Sequence, residues 1–217
     1  SNAGISVYKN GTFTNYTKEN NKLIGNIINE ITEDSKGNIW VGTNEGITIF
    51  REKEDVHITA QDGLPSNNTT SIAEDSKGNY FIGTEKGLII LLAGSISGEL
   101  LEFDDRFTDI RSAIADILID KEKNLWIATK NSGAYIINSN GAISHISKKN
   151  GLVTNSLTEL FLDRSGNIWI GTNGAGLIKY GNKAFTYFNE IPGLNSPEIF
   201  SITEDNEQNI WISTKDE

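Results

Sequence analysis

The chain has no cysteine, only two histidines, and fewer basic than acidic residues. Without cysteine, neither a disulfide framework nor a thiolate metal site is possible. Because 19 Lys and Arg stand against 29 Asp and Glu, the formal net charge of −10 disfavours nucleic acid and anionic membrane surfaces as partners. The sequence also has no run of 18 or more apolar residues and no opening signal peptide, so we predict no direct membrane contact in this segment.

The sequence contains a repeated motif, whose first copy at Asp34–Gly46 reads DSKGNIWVGTNEG. Similar motifs follow at intervals of 41 to 45 residues. A period of about 40 to 45 residues is typical of β-propeller blades, in which each repeat is stable only when it packs against its neighbours. The five copies begin at Asp34, Asp75, Asp120, Asp163 and Asp205.

Each copy is predicted to form four short strands. In the first copy the first strand ends at Asp34, and the other three occupy residues 39–43, 47–50 and 56–59. The DSKG segment is predicted to be a hairpin turn, because Asp accepts hydrogen bonds from its own downstream amides and Gly tolerates positive φ. Lys123 and Gln208 replace this glycine in two copies. Since a left-handed non-glycine residue costs roughly 1–2 kcal/mol, we expect a different turn shape there.

The end of each motif carries an aromatic residue, which is predicted to pack between blades and to bury on the order of 150–250 Å². The aromatic series is Trp40, Phe81, Trp126, Trp169 and Trp211.

Residues 110–118 carry apolar side chains at helical spacing, which by itself would predict a helix. The alignment of Asp120 with the other turn aspartates nevertheless favours a strand at 114–119.

The two ends of the chain each read as half a blade, because residues 4–17 align with the outer strands at 46–59 and residues 199–214 supply only inner strands. The predicted fold is therefore all-β, a single-domain propeller (4–217) of five four-stranded blades, one of them stitched from the two ends, which leaves no free edge strand. The alternative is part of a larger ring that a second chain completes, which would make a homodimer. Residues 1–3 are typical of the remnant of an expression tag. The complete blades are predicted at 28–60, 69–104, 113–148 and 157–189.

The pattern I-x-E-D-S-K-G-N-I-W-V-G-T-x-x-G followed by GLPSN resembles the two-component regulator propeller repeat. Ile31–Gly46, Ile72–Gly87 and Leu160–Gly176 match it closely, and the copies at Ile117 and Ile202 match it loosely. The resemblance implies the extracytoplasmic sensor region, in the periplasm or at the cell surface, of a membrane-anchored bacterial hybrid histidine kinase that recognises oligosaccharides or other nutrients. Five repeats differ from the seven-bladed rings that are typical of the family.

The residues most often used in catalysis occupy repeated positions. His57 and His145 each stand six residues before a Gly-Leu pair, as does Tyr187, which predicts equivalent outer-strand positions and no catalytic or metal role. The turn aspartates recur in the same way and are predicted to be structural. The glutamate that precedes three of them recurs too, so these pairs single out no glycosidase-type pair of carboxylates. No H-E-x-x-H, G-x-S-x-G, calcium loop or phosphate loop is present, and no cofactor is predicted.

The turns between second and third strands and the connectors between blades are predicted to emerge on one face. Their residues vary between copies while the framework repeats, as expected for function grafted on a scaffold, although solvated loops vary too. Amides and mixed charges suit a small polyhydroxylated ligand. The candidate ligand-binding residues are Asn44, Glu45, Asn67, Glu85, Lys86, Arg111, Lys130, Asn131, Asn155, Asn173, Asn195 and Lys215, with Asn68 and Asp216 in the same loops.

We therefore expect a non-catalytic sensor propeller that binds a small polar ligand such as an oligosaccharide. One alternative is a propeller lyase or glycosidase, which would require a unique cluster of His, Glu, Asp or Arg. The other is a passive scaffold for protein interaction or dimerisation.

Overall fold

The computed structural model describes residues 3–95, 101–104, 107, 110–188 and 193–215. These residues form twenty β-strands, which fall into two compact units at residues 1–111 and 112–217. None of the described residues belongs to a helix that is long and apolar enough to cross a membrane.

The first unit contains one two-stranded and two four-stranded antiparallel sheets, in the orders β1-β2, β3-β4-β5-β6 and β7-β8-β9-β10. The strands are β1 (Ile5–Lys9), β2 (Thr12–Tyr16), β3 (Ile28–Glu33), β4 (Ile39–Thr43), β5 (Gly46–Phe50), β6 (Val56–Ile58), β7 (Thr69–Glu74), β8 (Tyr80–Thr84), β9 (Gly87–Leu91) and β10 (Phe103–Asp104).

The second unit repeats this architecture with sheets β11-β12-β13-β14, β15-β16-β17-β18 and β19-β20. The strands are β11 (Ile114–Ile119), β12 (Leu125–Thr129), β13 (Ala134–Ile137), β14 (Ile143–Ile146), β15 (Leu157–Leu162), β16 (Ile168–Thr172), β17 (Leu177–Gly181), β18 (Ala184–Phe188), β19 (Ile199–Glu204) and β20 (Ile210–Thr214).

The predicted four-stranded blades are confirmed, and the strand predicted at 114–119 is β11. The hairpins β1-β2 and β19-β20 match the predicted half-blades in their strand content. Their joining into a fifth blade, the single domain and the homodimer stay predictions. Parts of the predicted blades 69–104 and 157–189, of the tag remnant and of the last loop (Asp216) lie outside the described residues.

The turn aspartate organises each blade through hydrogen bonds to its own turn and to the aromatic residue. Asp34 Oδ1 accepts from the amides of Lys36 and Asn38 at 2.9 and 2.8 Å. Its Oδ2 accepts from Asn38 Nδ2 at 2.7 Å and from the Trp40 indole Nε1 at 3.0 Å. The predicted cap is confirmed, and the indole bond is an addition that the sequence analysis missed. It recurs in the pairs Asp120–Trp126, Asp163–Trp169 and Asp205–Trp211, at 2.8–2.9 Å.

A tyrosine of the second blade binds the Asp34 carboxylate of the first blade and so links the two blades. Tyr80 donates its hydroxyl to Asp34 Oδ2 at 2.8 Å, and its ring stacks on Trp40 with centroids 4.2 Å apart. Tyr80 is 1% exposed and Trp40 is fully buried. Phe81 was predicted in this role but is only half-buried, so the packing aromatic of this copy stands one residue earlier. The prediction of a packed aromatic is also wrong for Trp211, which is 62% exposed.

The hydrophobic core lies between neighbouring sheets within each unit. In the first unit, Ile47, Ile49 and Ile82 are fully buried in the same cluster as Trp40 and Tyr80. In the second, Trp126, Ile170 and Ile178 form the corresponding cluster. An isolated small sheet is marginally stable, so blade-on-blade packing supplies the stability that each repeat lacks by itself.

The turns at Lys123 and Gln208 have the shape of the glycine copies, contrary to the prediction. Both residues take the left-handed conformation with φ of 65° and 67°, against 80° for Gly37. The amide of Lys123 donates to Asp120 O at 3.0 Å, as Gly37 does to Asp34 O. The aspartate network therefore holds the turn even where the residue is unfavourable for it.

Replacement of Lys123 by glycine is expected to raise the free energy of unfolding by about 0.5–1 kcal/mol. Glycine removes the left-handed strain but gives the unfolded chain more freedom, which offsets part of the gain. Urea unfolding measures the change. Gly166→Ala, at the equivalent position with φ of 87°, is the control and should destabilise by about 1 kcal/mol. A destabilised Lys123→Gly protein would contradict the prediction.

Replacement of Asp34 by asparagine is expected to cost about 2 kcal/mol at pH 7. Burial raises the pKa of Asp34, but hydrogen bonds from Asn38, Trp40 and Tyr80 outweigh it and lower the pKa to about 2. Because this folded-state value lies below the unfolded one, the stabilisation is complete above pH 4 and is lost as the pH falls through 2.

Urea unfolding between pH 2 and 7 tests this, with the loss in Asp34→Asn shrinking below pH 4. Asp75→Asn is the matched control, because the Phe81 side chain has no N–H to donate. Among the described residues, the Asp75 carboxylate accepts from the amides of Lys77 and Asn79 and from the Asn79 side chain alone. An equal loss in both variants would show that the indole and tyrosine bonds add nothing.

Candidate functional site

The second unit has a cavity of about 690 Å³ at the ends of the strands where the second-to-third strand turns and the connectors meet. This volume lies in the range of small-molecule sites, about 300–1,000 Å³. Its lining residues are Ala115, Lys130, Asn131, Ser156, Leu157, Thr158, Asn173, Glu198, Ile199, Phe200 and Lys215.

Main-chain hydrogen bonds fix the loops around the cavity. The amides of Lys130 and Asn173 donate to Ala113 O and Ser156 O, at 2.9 and 3.0 Å, and so tie each turn to the segment before the first strand of its own blade. The Gly133 amide donates to Asn155 O at 2.9 Å, which ties the turn to the connector that leads to the next blade. The loops are therefore positioned by the sheets on both sides.

A β-bulge in every first strand supplies the rest of the lining. The ladder between first and second strands shifts register at the same point in all five copies. In the second unit this leaves Ala115, Thr158 and Phe200 out of the pairing, and all three line the cavity. A bulge re-aims a side chain without ending the strand. No sequence signal for these bulges was found.

The cavity combines charge, amides and one aromatic surface. Lys130 and Lys215 contribute two positive charges and Glu198 one negative charge, with Lys215 Nζ 3.2 Å from Glu198 Oε2. Phe200 is 56% exposed. Thr158 Oγ1 is buried and has no hydrogen-bond partner among the described residues. Charged and amide side chains in one cavity suit a ligand that carries hydroxyl groups.

The candidate residues of the second unit divide into two groups. Lys130, Asn131, Asn173 and Lys215 line the cavity. Asn195 is exposed on the connector outside the lining.

Asn155 belongs with the loop framework, because its Oδ1 accepts the Lys148 amide at 2.7 Å. Its equivalent in the first unit, Asn67, accepts the Ala60 amide in the same way at 2.7 Å. These two side-chain oxygens cap the connectors.

The other candidates of the first unit lie on its loops. Glu45 pairs with Lys18. Asn68 Oδ1 accepts from Asn29 Nδ2 at 2.7 Å. Asn44 Oδ1 is buried without a hydrogen-bond partner among the described residues. The remaining candidates, Glu85, Lys86 and Arg111, are exposed.

Two carboxylates on the first strands of neighbouring blades were missed. Asp116 Oδ2 accepts the Leu160 amide at 2.8 Å, and Glu159 Oε1 accepts the Ile202 amide at 3.3 Å. Each carboxylate therefore satisfies an N–H on the edge of the next sheet, which limits unwanted pairing there. Burial raises the pKa of Glu159, and the charge of Asp116 adds to the rise.

The repeated Glu-Asp pairs lie at the turns between first and second strands, at the opposite ends of the strands from the cavity. Glu74 accepts from the amide and hydroxyl of Ser35 at 2.6 and 2.7 Å, and Glu204 accepts from the Arg164 amide at 2.9 Å. Within these pairs the glutamate thus binds the turn of the preceding blade, while the aspartate caps its own turn, as predicted for the aspartates.

Both histidines lie on fourth strands, as predicted. His57 on β6 has its Nδ1 3.1 Å from Thr48 Oγ1. His145 on β14 stacks on Tyr135, and its Nε2 lies 2.6 Å from Ser132 O. In the part of the chain that the structure describes, no three His, Asp or Glu residues are grouped so that they could hold a metal ion.

The repeats match the family model described as two component regulator propeller, at residues 22–45, 63–86, 151–174 and 193–216. The chain belongs to the two-component regulator propeller family. The copy at Asp120 lies outside the matched residues. No curated protein sequence matches the chain.

Solved structures show the same fold at low identity. The chain is similar to the extracellular domains of two B. thetaiotaomicron hybrid two-component systems, at 21% and 20% identity and TM-scores of 0.64 and 0.66. The matches span 98% and 99% of this chain but only 35% and 37% of those domains. It is also similar to a catalytically inactive virginiamycin B lyase from Staphylococcus aureus with quinupristin, at 14% identity and a TM-score of 0.73, covering 96% of this chain and 70% of that one. The fold is thus that of a β-propeller.

Replacement of Glu159 by glutamine is expected to stabilise the protein at pH 7. The folded-state pKa of Glu159 is raised, so its charge opposes folding above the unfolded pKa, and this cost disappears as the pH falls towards 4. Glutamine keeps the oxygen that accepts from Ile202. Urea unfolding at pH 7 and pH 4 should show a gain only at pH 7, and the exposed Glu207→Gln variant should show none. A loss at pH 7 would contradict the expected sign.

Proposed function

We propose that this chain is a non-catalytic ligand-recognition propeller of a two-component signalling protein, and that it binds a small polar ligand such as an oligosaccharide in the cavity of the second unit. The observation that carries the proposal is that four variable loop residues, Lys130, Asn131, Asn173 and Lys215, line one cavity. Loops of variable sequence on a repeated scaffold are where such folds place function.

The chemistry of the cavity favours a hydroxylated ligand. Asn131 and Asn173 in the lining offer amide donors and acceptors to such a ligand. Because main-chain hydrogen bonds hold the surrounding loops, little ordering is required on binding.

We further propose that the chain is part of the extracytoplasmic region of a membrane-anchored parent with a kinase or another output domain. Family membership and the similarity to extracellular domains of hybrid two-component systems support this location. The chain spans about a third of those domains, so sensing by the whole protein is a proposal for a larger assembly.

The similarity to a lyase raises the alternative of an enzyme on the same scaffold. Two features favour binding without turnover. Both histidines lie on outer strands and contact neighbouring groups of their own blades. The neighbouring carboxylates Asp116 and Glu159 accept main-chain amides rather than standing in the cavity.

Isothermal titration with a panel of neutral and acidic oligosaccharides tests the proposal. We expect saturable binding to at least one member, weakened about tenfold by Asn173→Ala, because the site loses a hydrogen-bonding side chain. Asn195→Ala, outside the cavity, is the matched control and should bind as the unmodified protein does. Chromatography of the recovered sugar should show no product.

Three results would contradict the proposal. No heat from any sugar would favour a passive scaffold, and a cleaved or eliminated product would favour the enzyme. Equal weakening in Asn173→Ala and Asn195→Ala would place binding elsewhere.

A further inference from the structure

Strands β20 and β1 each have an edge that is paired in the complete blades. They correspond to the second and third strands of a blade, but among the described residues β20 pairs only with β19 and β1 only with β2. Such an edge is a template for a further strand. We infer that β20 pairs with β1 of a second molecule of this protein, so that β19-β20 and the β1-β2 hairpin of that molecule form one four-stranded blade, the hybrid blade.

Each hairpin has the register of the half-blade that the other lacks. The ladder β19-β20 matches the ladder β3-β4, including its bulge, and the ladder β1-β2 matches β5-β6. The matching pairs are Thr203–Trp211 and Thr32–Trp40 for the inner strands, and Ile5–Tyr16 and Ile47–Ile58 for the outer strands.

The complete blades also fix the register of the hybrid blade. Trp40 on the second strand is paired with Ile49, which stands three residues after Gly46. The same spacing holds in the three other complete blades. On β1 the third residue after Gly4 is Val7, so the register predicts Trp211 opposite Val7 and, two residues along, Ser213 opposite Ile5.

A hydrogen bond from threonine to glycine joins the second and third strands of each complete blade. These threonines are fully buried. Thr214 holds the equivalent position on β20 but is only half-buried, and Gly4, with φ of 77°, is the equivalent glycine before β1. In the hybrid blade Thr214 can donate to Gly4 O of the second molecule. The existing pairs are Thr43–Gly46, Thr84–Gly87, Thr129–Gly133 and Thr172–Gly176, at 2.6–2.9 Å.

Trp211 is held like a packed aromatic residue but is exposed. Its indole donates to Asp205 Oδ2 at 2.8 Å, as the Trp40 indole donates to Asp34. Trp40 is fully buried and stacks on Tyr80 of the next blade, whereas Trp211 is 62% exposed. The face of Trp211 that a following blade would cover is therefore open.

The second molecule would supply this cover. Opposite residues of a ladder share a face, so Trp211 would lie beside Val7 on the face of β1-β2 that also carries Tyr16. Tyr16 packs against Phe50 of the following blade, with ring centroids 5.3 Å apart. That blade would cover Trp211 as the second blade covers Trp40. Burial of an aromatic side chain, on the order of 150–250 Å², favours the association.

The opposite face of β1 carries Tyr8, which is 64% exposed. Tyr8 holds the position on β1 that Phe50 holds on β5, and Phe50 packs on Tyr16 of the preceding hairpin. Phe188 on β18 holds the position that Tyr16 holds on β2. In the hybrid blade, Tyr8 of the second molecule is therefore expected to pack on Phe188.

Each molecule carries both edges, so the contact is head-to-tail. Two molecules that pair reciprocally form a homodimer, which is the smallest assembly in which both edges of each molecule are paired.

Disulfide trapping tests the pairing, because the chain has no cysteine of its own. Ile5→Cys and Ser213→Cys are made in separate chains with tags of different length, mixed and oxidised mildly. Directly opposite residues are within reach of a disulfide, so we expect the mixed dimer as the main cross-linked product. Ser6→Cys with Ser213→Cys is the matched control. A shift of one residue turns the side chain to the other face, and about fivefold less mixed dimer is expected.

A charge on β1 tests the contact without cysteines. Val7→Glu would place a carboxylate against Trp211 and should weaken association at least tenfold in sedimentation equilibrium, because the charge would be buried without a partner. Ile143→Glu, on the exposed face of β14, is the control and should associate as the unmodified protein does. Urea unfolding confirms that each variant is folded.

Four results would overturn the inference. They are a protein that sediments as a monomer at every concentration, equal trapping with Ser6→Cys and Ile5→Cys, and equal association of Val7→Glu and the unmodified protein. The fourth is a disulfide within single molecules that carry both Ile5→Cys and Ser213→Cys, which would show that each chain pairs its own ends. Sugar binding is measured separately, so none of these results decides the proposed function.

Discussion

The carboxylate of the turn aspartate is the group on which the blades depend. At Asp34 one side chain accepts from two turn amides, the Asn38 side chain, the Trp40 indole and Tyr80 of the next blade. It therefore joins a hairpin, a core aromatic and a neighbouring sheet. The strength of this arrangement explains why Lys123 and Gln208 accept left-handed φ values that their side chains disfavour.

Much of the fold could be predicted from the sequence, because the same residue types recur at equivalent positions in several copies. The alignment of Asp120 with other aspartates was enough to predict β11 against a helical pattern of apolar residues. The indole bond and the role of Tyr80 were not predicted, since both depend on where a side chain meets the next sheet. Spacing within one copy carries no information about that contact.

The candidate site was only partly readable. Loop variability pointed to Lys130, Asn131, Asn173 and Lys215, which the structure gathers around one cavity. The same criterion also selected Asn67 and Asn155, whose oxygens cap connectors and therefore repeat for a structural reason. Thr158 and Phe200 were missed because a bulge places them in the cavity, and bulges leave no clear pattern in the residue types.

The bulge has a consequence for how such modules diversify. In each copy one residue of the first strand is not paired with the second strand, so strand pairing does not restrict which residue type occupies that position. Asparagine, threonine, alanine and phenylalanine all occupy it without a change in architecture. A propeller of this kind can thus alter its chemical preference one blade at a time, by single substitutions that the scaffold tolerates.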